Sequence, residues 1–210
     1  MNSISLNEER WNAISHGFGA ALSAVGLVLL LQRSALYDHA MYTIGYAIYG
    51  ASFCLLYLSS TLLHSSRSPK WGERFEVWDH SAIFLAIAGS YTPFLLITLQ
   101  GTLGYSLLLL IWAFAFVGVR YVRFIIKRFM PWGLLFYLSM ACLTFYLIGP
   151  LQVRLPSMGL MLLLFGGILY IIGMVFFLWR NLKYHHTIWH LFVLAASGCH
   201  FIAIYLYVTP

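Results

Sequence analysis

Seven stretches of this 210-residue chain, 13–31, 41–63, 81–99, 102–119, 132–151, 158–178 and 187–208, contain no Asp, Glu, Lys or Arg. Each is close to the roughly 20 apolar residues that an α-helix needs to cross a hydrocarbon core. Their apolarity is continuous, whereas barrel strands alternate lipid-facing and lumen-facing residues over about 10 positions. Only 9% of the residues are charged, against about 25% in a soluble domain, and they cluster between the stretches. The expected fold class is therefore an all-α membrane protein: residues 1–210 form a single seven-transmembrane helix bundle, integral and multi-pass. The third and fourth stretches are separated only by Gln100 and Gly101, which predicts a tight antiparallel hairpin. The longest connection, 65–80, carries Pro69, Gly72 and six charged residues. It is expected to lie across the membrane interface, anchored by Trp71 and Trp78.

Seven spans put the termini on opposite sides, and the basic residues choose between them. Arg10, Arg67, Lys70, Arg74, Arg120, Arg123, Lys127, Arg128, Arg180 and Lys183 fall on one side, and only Arg33 and Arg154 on the other. The positive-inside rule then predicts a cytoplasmic N-terminus and an external C-terminus. The same rule accounts for the net charge of +6, so nucleic acid is not an expected partner. Cys54, Cys142 and Cys199 all lie in apolar stretches and are odd in number, which implies no disulfide framework. The first stretch is as long as a full span with no small-residue cleavage site after it, and reads as a retained helix. The small size and single domain point to a bacterial inner membrane.

His186 and His190 are four residues apart at the start of the seventh span, so both side chains share one helix face about one turn apart. The second span ends at His64 on the same side of the membrane, which brings three histidines to a similar depth. Asp79 begins the third span at that level, and Ser60 lies one turn before His64 on the same face of its helix. Three neutral imidazoles with an open position make a catalytic type of zinc site, in contrast to the closed four-ligand structural type. His39 is expected in solvent at the other end. His80 and His185 are expected to point away from the cluster, being adjacent to inward-facing residues. His200 lies ten residues beyond His190, about 15 Å along the helix, and is assigned a hydrogen bond to another helix. His16, early in the first span, is assigned a supporting or packing role. Pro93 introduces a kink in the third span that can open a path for lipid.

Three motifs carry a family resemblance. The first is Glu8, Glu9, Asn12, Ser15 and His16. The second is Ser60-Thr-Leu-Leu-His64 followed by Asp79 and His80-Ser-Ala-Ile. The third is His186-Thr-Ile-Trp-His190, continuing through Ser197 to His200-Phe201. With these the chain resembles the hemolysin III branch of the progestin and adipoQ receptor family, which includes the adiponectin receptors. The resemblance implies a seven-helix bundle with a cytoplasmic N-terminus and a zinc ion held by His64, His186 and His190. From this family and the similar alkaline ceramidases it further implies that Asp79 contacts a zinc-bound water and that Ser60 belongs to the same site.

The expected function is a zinc-dependent membrane hydrolase acting on a lipid amide, as a ceramidase does, or on an ester. Zinc would lower the pKa of its water to about 7. Asp79 would act as general base and return the proton to the leaving group, and Ser60 would donate to the oxyanion or hold the water. The membrane lipid, as substrate, would lie between helices. A second reading is a membrane sensor or signalling protein in which zinc only fixes the second, third and seventh spans. A third is a pore-forming hemolysin, which should show polar residues along several helices, and these spans are nearly devoid of them.

Overall fold

The computed structural model describes residues 5–128 and 130–209; positions 1–4, 129 and 210 of the expected domain lie outside them. The described residues form eight α-helices: α1 Leu6–Ser34, α2 Ala40–Ser65, α3 Pro69–Pro93, α4 Thr102–Arg128, α5 Met130–Ala141, α6 Leu143–Arg154, α7 Ser157–Leu178 and α8 His185–Tyr207. Seven helical stretches are long and apolar enough to cross a membrane, with α5 and α6 together supplying the fifth. Helix α1 packs on α2 and α8, α2 on α3, α3 on α4, and α7 on α8. Helices α5 and α6 touch their neighbours more lightly, and a cavity lies behind them.

Local chemistry explains where the helices begin and turn. Ser5 caps α1 in a reciprocal box: its hydroxyl accepts from the Glu8 N–H at 3.2 Å, and the Glu8 carboxylate accepts from the Ser5 N–H at 2.9 Å. The imidazole of His39 accepts from the Met41 N–H at 3.2 Å at the start of α2. This histidine is exposed, as expected, and also serves as a cap. The hairpin between the third and fourth spans is as tight as the sequence predicts. Gly101 takes φ +94°, a left-handed conformation open to a residue without Cβ.

Two elements depart from the expectation. Most of the 65–80 connection is helical: α3 starts at Pro69, which occupies the first helical turn where its missing N–H costs nothing. Trp71 and Trp78 both remain exposed on this extension. The fifth span, expected as one helix, is interrupted at Cys142. From α3 the Tyr91 hydroxyl reaches the Met140 and Ala141 carbonyls at 3.1 and 3.0 Å and the Thr144 hydroxyl at 2.7 Å. A side chain inserted into the hydrogen-bond ladder in this way is a sufficient cause of a local break. Pro93 likewise ends regular α3 geometry, and a π-helical turn, Phe94–Thr98, completes the third span.

Close helix approach rests on small residues, as is common where lipid removes the usual hydrophobic drive between helices. Gly89 of α3 faces Ser52 of α2, and Gly118 of α4 faces the Phe84 ring. A Cβ at either position would displace its neighbour. The Tyr91 bonds supply the corresponding tie to the fifth span. Tyr91→Phe should therefore lower stability by about 1 kcal/mol, read as a reduced thermal midpoint of the detergent-solubilised protein. Ser139→Ala, on the exposed face of α5, should leave that midpoint unchanged.

Candidate metal centre

One end of the bundle gathers histidines from three parts of the chain. His64 comes from the last turn of α2, and His186 and His190 from the first two turns of α8. One donor atom from each lies within 4.8 Å of those of the other two. The ring centroids are 5.0 Å apart for His64 and His186, 5.1 Å for His64 and His190, and 4.6 Å for His186 and His190. Among the described residues this is the one group of three or more histidine, cysteine or acidic side chains placed to hold a metal ion.

The outer faces of two of these rings are already committed to α1. Glu9 Oε2 lies 2.6 Å from His64 Nδ1. A carboxylate accepts, so Nδ1 carries the proton and Nε2 offers its lone pair. That Nε2 is buried and has no hydrogen-bond partner. His190 Nδ1 lies 3.2 Å from the Asn12 carbonyl oxygen, which only accepts, so His190 also keeps Nε2 free. The Ser15 hydroxyl, 3.0 Å from the same Nδ1, donates to the Asn12 carbonyl at 2.9 Å. Orphaned lone pairs on imidazoles whose other nitrogen is fixed are what a histidine-ligated metal requires, and the residues present fit such an ion.

Further contacts lock α1 to α8 around the cluster. Glu8 Oε1 accepts from the Tyr184 N–H at 2.7 Å, and the Thr187 hydroxyl donates to Asn12 Oδ1 at 2.5 Å. Tyr184 takes φ +59° at the residue before α8, and the Glu8 bond holds the chain at that unusual turn.

The cluster opens into a cavity of about 1010 Å³. Ser60 and Asp79 line it beside the histidines, with the Ser60 hydroxyl next to the Asp79 carboxyl. The wall then turns apolar, running through Phe94, Leu147, Leu151 and Met174 toward His200. The structure thus brings all five residues singled out for the site, His64, His186, His190, Asp79 and Ser60, to one cavity. His80, expected to point away, lines the same cavity, where the Tyr137 hydroxyl of α5 binds its carbonyl at 3.1 Å and lies 3.4 Å from its Nδ1. His185 lies in a separate small cleft with Arg180 and Lys183. His200 donates from Nε2 to the Leu163 carbonyl of α7 at 3.1 Å, the interhelical bond expected of it. Sequence reasoning did not single out Glu9 as a partner of His64. The available signal was the spacing Glu9, Asn12, His16, which falls on one face of α1.

A seven-span helical membrane protein with a three-histidine site able to hold a metal at the polar end of an apolar cavity is the class that this fold and site define. The chain belongs to the haemolysin-III related family, whose family model matches residues 4–201. It is 47% identical over 205 residues to hemolysin-3 of Bacillus cereus, covering 98% of this chain and 94% of that protein. It is 44% identical over 204 residues to the hemolysin-3 homolog of Bacillus subtilis (strain 168), covering 97% and 96%. The human monocyte to macrophage differentiation factor is 32% identical over 211 residues, covering 97% of this chain and 86% of that protein. No solved structure gives a significant match.

The purified protein should carry about one metal ion per chain, measured by elemental analysis, as three histidines with one open position predict. The double variant His186→Ala, His190→Ala should lose it, whereas His39→Ala should keep it. Glu9→Gln keeps the shape but not the charge, and should weaken metal affinity roughly 10–100-fold in a chelator competition.

Proposed function

We propose that this chain is a zinc-dependent hydrolase that cleaves an amide or ester bond of a membrane lipid. The observation that carries the reading is the joining of two unlike environments. The three histidines, Asp79 and Ser60 stand at one end of a cavity whose remaining length is largely apolar. A lipid has the matching division, with a polar head joined to an acyl chain. Imidazole nitrogens suit zinc, which when bound would supply Lewis acidity and lower the pKa of a water to about 7. Asp79 then takes the proton from the attacking water and returns it to the leaving amine or alkoxide oxygen. Ser60, 1% exposed and beside that carboxyl, donates its hydroxyl proton toward the carbonyl oxygen as charge develops there. The light packing of α5 and α6 against α7 supports entry of the lipid sideways from the bilayer.

The same reading includes an orientation, with the N-terminus and the histidine cluster at the cytoplasmic face. Ten basic residues against two support it. A reporter fused after Pro210 should be external and one inserted between Arg120 and Arg128 cytoplasmic; a cytoplasmic C-terminus would reverse the assignment.

The relatives' name, hemolysin-3, raises lysis by a pore. A conducting path needs polar groups repeated along several helices, and here the cavity is lined mainly by apolar side chains, so the hydrolase reading is preferred. It is tested by incubating zinc-loaded protein with ceramides of several chain lengths and following free fatty acid. Asp79→Asn should keep most of the zinc and lose roughly 10²–10⁴-fold in rate, and Ser60→Ala should lose less. Release of zinc by Asp79→Asn would make Asp79 a fourth ligand in a closed shell, and a structural metal in a sensor would replace the hydrolase.

A further inference from the structure

His16 is a buried polar side chain that the chemistry above leaves without a task. It is 4% exposed, and neither ring nitrogen has a hydrogen-bond partner. Three of the other histidines commit one nitrogen to the protein: His64 to Glu9, His190 to the Asn12 carbonyl, His200 to the Leu163 carbonyl. An unsatisfied buried donor or acceptor costs about 1–3 kcal/mol, and a neutral imidazole has one of each. A residue that only filled this space would incur no such penalty as phenylalanine.

Its placement shows what the ring can reach. His16 stacks on His190 with centroids 3.4 Å apart and planes 12° from parallel. Its edge meets Tyr57 at 5.1 Å and 84°, so the ring is held on two sides. The stack lays the His16 ring face to face on the His190 ring. Because His190 Nδ1 is held by the α1 backbone, the His190 nitrogen left free is the one facing the other two histidines. His16 is stacked on that ring and lines the same cavity, yet it is not one of the three whose donor atoms come within 4.8 Å of one another. It is therefore close to the metal centre without being placed as a ligand. Ser60 and Asp79 approach from α2 and α3, and His16 approaches from α1.

We propose that His16 is a ligand-binding residue whose imidazole N–H donates to an oxygen of the acyl head, a carboxylate, hydroxamate or amide or ester carbonyl, that enters the cavity and reaches the three histidines. The inference rests on the metal-centre reading given above and adds to Ser60 of α2 a second polar contact to the oxygen, from α1. It accounts for an imidazole kept at a site with no partner in the protein: the partner arrives with the ligand.

Two amphiphiles with the same alkyl chain test it on the zinc-loaded, detergent-solubilised protein: octanohydroxamic acid and octane-1-thiol. Both have a group that binds zinc, but only the hydroxamate presents oxygen acceptors. His16→Phe preserves a stacked ring without nitrogens, and His16→Gln restores a donor. Titration calorimetry should show His16→Phe retaining one zinc per chain and its thiol affinity while losing roughly 10–100-fold in hydroxamate affinity. His16→Gln should recover part of that loss. Equal losses for both probes would reduce His16 to packing, loss of zinc from His16→Phe would make it a ligand, and unchanged hydroxamate binding would remove the contact; each overturns the proposal. Failure of the wild-type protein to take up zinc is a different result, and it overturns the metal-centre reading together with this inference.

Discussion

The polar end of the molecule depends on one strip of side chains and backbone along the start of α1. Glu9 holds His64 of α2, the Asn12 carbonyl holds His190 of α8, the Asn12 side chain receives Thr187, and Glu8 receives the backbone of Tyr184. In water such bonds would contribute little net energy, because solvent competes for every partner. Where such bonds are buried, as at His190 and the Asn12 carbonyl, solvent competes less and an unpaired polar group is costly. The two helices that supply the histidines are thus registered against each other by a third that supplies none, and two of the three rings have a defined tautomer before any ion arrives.

The remainder of the bundle follows the opposite rule. Its core is aromatic and aliphatic, with Tyr46, Phe84, Phe94 and Leu95 fully buried, and its polar groups include serine hydroxyls bonded to carbonyls of their own helix and tyrosine hydroxyls bonded to backbone carbonyls of other helices. Tyr46 reaches the Val208 carbonyl at 2.5 Å and Tyr49 the Ser197 carbonyl at 3.3 Å. Such bonds fix helix register without placing charge in hydrocarbon. They leave the cavity wall apolar, so the volume behind the histidines favours a chain over a small polar solute.

Much of this was legible in the sequence, for identifiable reasons. Seven uncharged stretches determine seven spans because hydrocarbon tolerates little else. The pair His186 and His190 can be read from helical periodicity, and His64 joins it because an even number of crossings returns the chain to the same side. The pairing of Glu9 with His64 depends on how α1 rotates against α2, which no local pattern encodes. The cavity-facing position of His80 depends on how α3 packs against its neighbours, and the break at Cys142 on the hydroxyl of Tyr91. In each case the missing information is tertiary. The helical extension from Pro69 is the exception: its signal, proline at the first turn of a helix, was present and was outweighed by the density of charge around it.

The division of the cluster between the ends of the chain bears on how the protein is made. Glu9 and His64 belong to α1 and α2, and their bond can close as soon as α2 enters the membrane. His186 and His190 lie at the start of α8, so the nascent chain holds one of the three histidines, His64, already oriented, through the insertion of every span between. Three donor nitrogens meet only when α8 is in place, so a cluster able to hold a metal ion exists only once α8 has been inserted and docked against α1.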